Sequence, residues 1–162
     1  MNYLKIESSS LSNGTGWRVV LWVSGCNHGC FNCHNPESWS PTSGKPYTDK
    51  QKQKIIELLS HKYIKGLTLS GGDPLLPCNR ETVLDLVKTV KNTFVGKDIW
   101  LYTGYLYEEI ENEEILDYVD VVVDGPYIDE LRDVSLPFKG SKNQRIIDVK
   151  QTKKNGEIVI LM

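Results

Sequence analysis

Residues 18–36 read Arg18-Val19-Val20-Leu21-Trp22-Val23-Ser24-Gly25-Cys26-Asn27-His28-Gly29-Cys30-Phe31-Asn32-Cys33-His34-Asn35-Pro36, and the change of character at Gly25 decides the fold. Up to Ser24 the run is apolar and rich in β-branched residues, the pattern of a strand covered on both faces. Beyond Gly25 it is a loop with three cysteines in eight residues. A buried strand that ends in a loop of reactive side chains is the way a parallel α/β sheet presents a site at the carboxyl ends of its strands.

Downstream, helical and strand patterns alternate. Pro36 to Pro46 is turn-rich and predicts irregular chain up to Tyr47. Thr48 and Gln51 form a capping box, followed by Ile55, Leu58 and Leu59 at helical spacing. A strand over Gly66–Leu69 runs into Ser70-Gly71-Gly72-Asp73-Pro74. Asn79 is predicted to cap a second helix with the apolar face Val83, Val87, Val90 and Phe94, and with Lys88 and Lys91 towards its negative end. The cycle repeats with strand Asp98–Tyr102, turn Thr103-Gly104 and a helical segment around Leu106–Leu116. Strand Val119–Val123, turn Asp124-Gly125-Pro126, strand Gln144–Val149 and an edge strand over Ile158–Met162 complete the pattern. The alternation predicts an α/β fold with a mostly parallel sheet. Its loops Cys26–Cys33, Gly71–Asp73, Thr103–Tyr105 and Asp124–Pro126 are expected along one edge.

The chain has 162 residues, 40% hydrophobic and 25% charged, which suits a single globular domain over residues 1–162. A complete eight-fold barrel normally needs ~250 residues, so the length argues against one. The apolar runs Val19–Val23 and Ile158–Met162 fall far below the ~20 residues of a membrane span, and Met1–Asn13 has no apolar signal core. Nineteen Lys and Arg against 21 Asp and Glu give a net charge of −2, which argues against sequence-independent nucleic-acid binding. A cytoplasmic location with reduced thiols is expected for Cys26, Cys30, Cys33 and Cys78.

Cys26, Cys30 and Cys33 stand at C-x3-C-x2-C, crowded for disulfides and suited to converge on one metal or cluster. A structural zinc ion closes its tetrahedron with a fourth protein ligand, for which His28, His34 or Cys78 are available. A [4Fe-4S] cluster on three thiolates instead leaves one iron open to a further ligand. The spacing favours the cluster, because zinc pairs usually stand at C-x2-C or C-x4-C with a second pair well downstream.

The C-x3-C-x2-C loop after the first strand resembles that of the radical S-adenosylmethionine enzymes, and Ser70-Gly71-Gly72-Asp73-Pro74 resembles their second shared motif. Within that superfamily, several blocks resemble the activating proteins of anaerobic ribonucleoside-triphosphate reductases: Asn13-Gly14-Thr15-Gly16, Ser24-Gly25-Cys26, Leu69–Leu75, Asp98–Tyr105, Val122–Gly125 and Gly140–Arg145. The resemblance implies a partial, incomplete βα barrel of radical-S-adenosylmethionine type. It implies that Cys26, Cys30 and Cys33 hold one [4Fe-4S] cluster whose fourth iron is chelated by the amino and carboxylate groups of S-adenosyl-L-methionine. Asn32, Cys33 and His34 are then expected near the adenine moiety, Asn32 and His34 through their backbone, and Gly71 and Gly72 near the methionine, with Asp73 supporting either that turn or the cationic amino group. No catalytic side chain beyond the cluster ligands is expected. Reductive cleavage of the sulfonium yields a 5′-deoxyadenosyl radical, which takes hydrogen from a glycine of the large catalytic subunit of the reductase. An electron donor such as flavodoxin is implied as well. His34-Asn35 resembles instead the activators of pyruvate formate-lyase, so another glycyl-radical partner stays open, as does a radical enzyme acting on a small molecule.

Other residues have plainer readings. Gly71-Gly72 by itself is a tight turn. Cys78 reads as an incidental thiol, and His61 as a helix-end residue without a role. His28 either faces the cluster region or is an exposed loop residue. Trp22, Trp100 and Tyr102 read as core, since they lie in strand runs. Glu108–Glu114 reads as a solvated helix face, while Asn143-Gln144-Arg145 and Asp124-Gly125 suit a structural turn or a binding role equally.

Overall fold

Along the strand Trp17–Val23 (β2), side chains alternate between two faces, and both are covered, as the unbroken apolar run requires. A computed structural model describes residues 1–162. β2 pairs in parallel with Ile64–Gly71 (β4), which pairs with Asp98–Tyr102 (β5), which pairs with Val121–Asp124 (β6). This parallel centre is flanked by antiparallel strands. Asn2–Ser10 (β1) lies beside β2, the two-residue strand Lys45–Pro46 (β3) beside β1, and Arg145–Asp148 (β7) beside β6. The seven-stranded order is β3-β1-β2-β4-β5-β6-β7.

One face carries Val19, Leu21, Val23, Leu67, Leu69, Ile99, Leu101, Val122 and Ile147, packed in a 23-residue core under the helices. Helix Asp49–Leu59 (α1) contributes Ile55 and Leu59, and helix Pro77–Thr93 (α2) contributes Val83, Leu86, Val87 and Val90. Short helices Tyr107–Ile110 (α3) and Val149–Asn155 (α4) close the rest. The opposite face is built from Trp100, Val121, Val123 and Ile146, with Arg18 and Thr68 buried beside them. Phe138 covers it edge-on to Trp100 at 5.5 Å, and its carbonyl accepts the Tyr102 hydroxyl at 2.7 Å.

Several sequence expectations hold. Thr48 caps α1, with its N–H donating to Gln51 Oε1 at 2.8 Å, and β5 spans Asp98–Tyr102. Others are corrected. The sheet is mixed, parallel only in its middle. A strand not expected from the sequence, residues 2–10, forms β1, whose serines and partly exposed face hide the period-2 signal. α2 begins with Pro77 after Leu76, not at Asn79, because a proline at the first helical position gives up no hydrogen bond. The segment 106–116 divides into α3 and a 3₁₀ turn at Glu114–Asp117. Residues 149–155 coil into α4 behind an Asp148 cap, and the tail adds only an isolated bridge, Ile147 to Ile160, in place of a strand. No helix is long and apolar enough to cross a membrane.

Candidate metal centre

The loop that leaves β2 turns away from the strand at Gly25 (φ +100°) and is pinned at its start, with Gly25 N–H on the Ser38 carbonyl and Cys26 N–H on that of Trp39. Gly29 and Asn32 both take positive φ, so the chain doubles back between the cysteines. The result is that Cys26, Cys30 and Cys33 line one cavity of about 440 Å³. The turns after β4, β5 and β6 supply other walls through Gly71, Gly72, Asp73, Thr103, Gly104 and Gly125. The expected convergence of the strand-end loops on one edge is what the structure has.

The two glycines after β4 are there for close packing. A Cβ on Gly71 would lie 2.5 Å from the Val23 carbonyl oxygen, and one on Gly72 would overlap the Gly25 carbonyl. Their absence lets Gly72 N–H reach Val23 and Asp73 N–H reach Gly25, both at 2.8 Å. The β4 turn is thereby laid directly on the root of the cysteine loop. Asn79, buried in the first turn of α2, fastens the same junction by donating to the carbonyls of Ser24 at 2.8 Å and Asp73 at 3.0 Å.

Asp73 is 1% exposed, and its carboxylate accepts from Leu75 N–H, the Thr103 hydroxyl and Gly104 N–H, and pairs with His28 Nε2 at 2.5 Å. These partners use the carboxylate to brace the turn. His28 lies edge-on to Tyr105 with ring centroids 4.7 Å apart. The hydrogen bond to Asp73 holds the imidazole above its ordinary pKa, against the opposing effect of burial. Burial pushes the Cys26 thiol up to about 11, partly offset by the His28 backbone N–H, with Asp73, Cys30 and Cys33 adding repulsion. A thiol so placed stays protonated until a cation compensates the charge, as a metal ligand does on binding.

Of the residues singled out from the sequence, Cys26, Cys30, Cys33, His34, Gly71, Gly72 and Asp73 line the cavity together. Asn32 does not; its Nδ2 donates to Asp129 Oδ2 at 3.1 Å. His34 packs edge-on to Tyr127 at 5.1 Å. Trp22 and Tyr102, read as core, contribute to the cavity wall, whereas Trp100 is core. Gln144 also lines it, while Asn143 and Arg145 act in turns, on the Pro126 carbonyl and on Asp124 and Glu108. The His28–Asp73–Thr103 cluster escaped the sequence reading; Thr103-Gly104 at a strand end was its one visible signal.

The donor set fits a cluster better than a single ion. His28 is engaged by Asp73, and Cys78 is exposed at the start of α2, outside the cavity wall. Three separate thiols on one wall match ligation of different irons of one cluster.

The three cysteines share one cavity at the carboxyl edge of the sheet, and over residues 12–147 the chain matches the model of the family described as 4Fe-4S single cluster domain, which makes it an iron–sulfur protein by class. Similar proteins include the anaerobic ribonucleoside-triphosphate reductase-activating proteins of Enterobacteria phage T4, 47% identical over 146 residues (90% of this chain, 93% of that protein), and of Haemophilus influenzae, 47% identical over 150 residues (90% and 97%). That of Escherichia coli K12 is 41% identical over 148 residues (89% and 96%). The chain belongs to the family of anaerobic ribonucleoside-triphosphate reductase-activating proteins.

Proposed function

We propose that this chain is a radical S-adenosylmethionine oxidoreductase that installs a glycyl radical on the large catalytic subunit of an anaerobic ribonucleoside-triphosphate reductase. The observation that carries the reading is the placement of Cys26, Cys30 and Cys33 on the same cavity as the Gly71–Asp73 turn. Cys26, Cys30 and Cys33 would hold one [4Fe-4S] cluster, and S-adenosyl-L-methionine would lie between it and the β4 turn. When both are bound and the cluster is reduced, they supply one-electron cleavage of the sulfonium and a carbon radical able to take hydrogen from a glycine Cα.

The protein's own contribution is positional. Gly71 and Gly72 bring the β4 turn against the cysteine loop, and exposed backbone there is available to the methionine amino group. Asp73 keeps the turn in shape. Cys33 and His34 stand on the adenine side, with Tyr127 backing the His34 ring, and Asn32 contributes there through its backbone, its side chain being held by Asp129. Trp22, Tyr102 and Phe138 exclude water from the floor. Residues 1–162 act as one domain, an incomplete barrel whose open side would admit a polypeptide loop. A flavodoxin-type donor supplies the electron, in the cytoplasm. The relatives are named for the ribonucleotide reductase, and the reading follows them over the resemblance of His34-Asn35 to activators of pyruvate formate-lyase.

Anaerobic incubation of reduced, reconstituted protein with S-adenosylmethionine and the reductase tests the assignment. A glycyl doublet in the paramagnetic resonance spectrum of the large subunit is expected. Cofactor cleavage without that doublet overturns the choice of partner, and a colourless protein with one tetrahedral metal ion overturns the cluster.

A further inference from the structure

From Asn27 to Asn32 the cysteine loop has almost no main-chain ties. Its one bond between backbone groups is internal, from Cys33 N–H to the Cys30 carbonyl at 3.2 Å. Two side chains anchor it instead, one on each side of Cys30: His28 on Asp73 at 2.5 Å and Asn32 on Asp129 at 3.1 Å. The Asn32 tether is exposed, where water competes for both groups. The His28 tether ends on a carboxylate that is 1% exposed and already fixed by Leu75, Thr103 and Gly104. The imidazole also rests on Gly104, where a Cβ would come within 2.5 Å of the ring, and against Tyr105. His28 therefore sits in a seat made by the turns after β4 and β5.

We infer that His28 is a positioning residue: through Asp73 it locks the loop carrying Cys26 and Cys30 to the β4 turn across the cavity, so that the two walls keep one separation. The inference rests on the function proposed above, in which one wall holds the cluster and the other the methionine end of S-adenosylmethionine. Three thiols chelating within one loop tolerate movement of that loop as a unit. A ligand that bridges both walls does not, so loss of the tether weakens cofactor binding more than cluster retention.

The test compares His28→Leu, which keeps apolar bulk against Tyr105 but donates nothing, with His28→Gln, whose amide N–H can reach Asp73. In metal-free protein, amide hydrogen exchange over residues 27–32 is expected to rise in the Leu variant and to return towards wild type in the Gln variant. In reconstituted protein, the iron content of the Leu variant stays near wild type. The cofactor concentration that shifts the resonance spectrum of its reduced cluster rises about tenfold, and the Gln variant recovers most of that loss. Wild-type exchange and a wild-type titration in His28→Leu overturn the inference. So does a Gln variant as impaired as the Leu variant in both measurements, because the hydrogen bond is then not what matters. A wild-type protein whose cluster spectrum ignores S-adenosylmethionine refutes the function proposed above, while the exchange experiment still judges the tether.

Discussion

Arg18 on β2 reaches across β4 to Asp98 on β5, with its guanidinium 2.6 Å from the carboxylate and fully buried. It can do so because the residue between them in the register is Gly66, paired with Arg18 on one side and Asp98 on the other. A Cβ on Gly66 would overlap the Asp98 carbonyl. The same guanidinium donates to the Thr68 hydroxyl and to the carbonyls of Thr15 and Leu67, and packs on Trp100 at 5.5 Å. Three parallel strands are thus stitched on the face opposite the helices.

Arg18→Ala is expected to destabilise the metal-free protein by about 3 kcal/mol or more in a urea titration, since Asp98 and several carbonyls lose their partner in a buried place. Arg18→Lys is expected to recover less than half, because one ammonium cannot serve a forked set of acceptors. A loss under 1 kcal/mol for Ala contradicts the stitch.

Gly72→Ala is expected to cost about 3 kcal/mol, because the added methyl meets the Gly25 carbonyl, which is backbone and cannot swing aside. Thermal unfolding of the metal-free protein measures it. If stability is retained and only cofactor binding is lost, the glycine serves the ligand and not the packing.

Cys30→Ala is expected to remove the brown colour of the reconstituted protein while far-ultraviolet circular dichroism and metal-free stability stay within about 0.5 kcal/mol of wild type, as for a partly exposed loop side chain outside the core. Retained cluster absorbance in this variant contradicts the ligand assignment.

Arg145 hydrogen-bonds Glu108 and holds that carboxylate below its usual pKa. A lowered folded value means the pair stabilises the protein above the unfolded carboxylate pKa of about 4.3, and that this is lost as pH falls through the folded value. Glu108→Gln is therefore expected to be the less stable at pH 7, by no more than about 1 kcal/mol at this exposure, with the difference vanishing in acid. A difference that grows as the solution is acidified contradicts the pairing.

The legibility of this chain in its sequence was uneven for physical reasons. Thr48 with Gln51 and the run Asp98–Tyr102 are local signals that tertiary context did not override, and the three clustered cysteines are chemistry written in spacing. β1 was invisible because Asn2–Ser10 is half-exposed and ends in serines, so its place in the sheet depends on pairing with β2. Asn79 looks like a helix cap because of its residue type, yet it is consumed as a buried clasp between Ser24 and Asp73. In the sequence Asp73 is open between supporting the turn and meeting the ligand; four donors 2 to 45 residues away converge on it, and no local pattern reports such distant partners. The antiparallel direction of β7 is likewise a matter of how the 126–144 connection crosses the sheet edge.

The near-sequential order of strands has a kinetic consequence during synthesis. His28 leaves the ribosome 45 residues ahead of Asp73, an interval of several seconds at roughly 5–20 residues per second. Through that time His28 has no carboxylate to pair with, so the cysteine loop lacks its buried tether. The seat that fixes this tract is complete only once Asp73 has been joined by Thr103 and Gly104, thirty residues further along the chain.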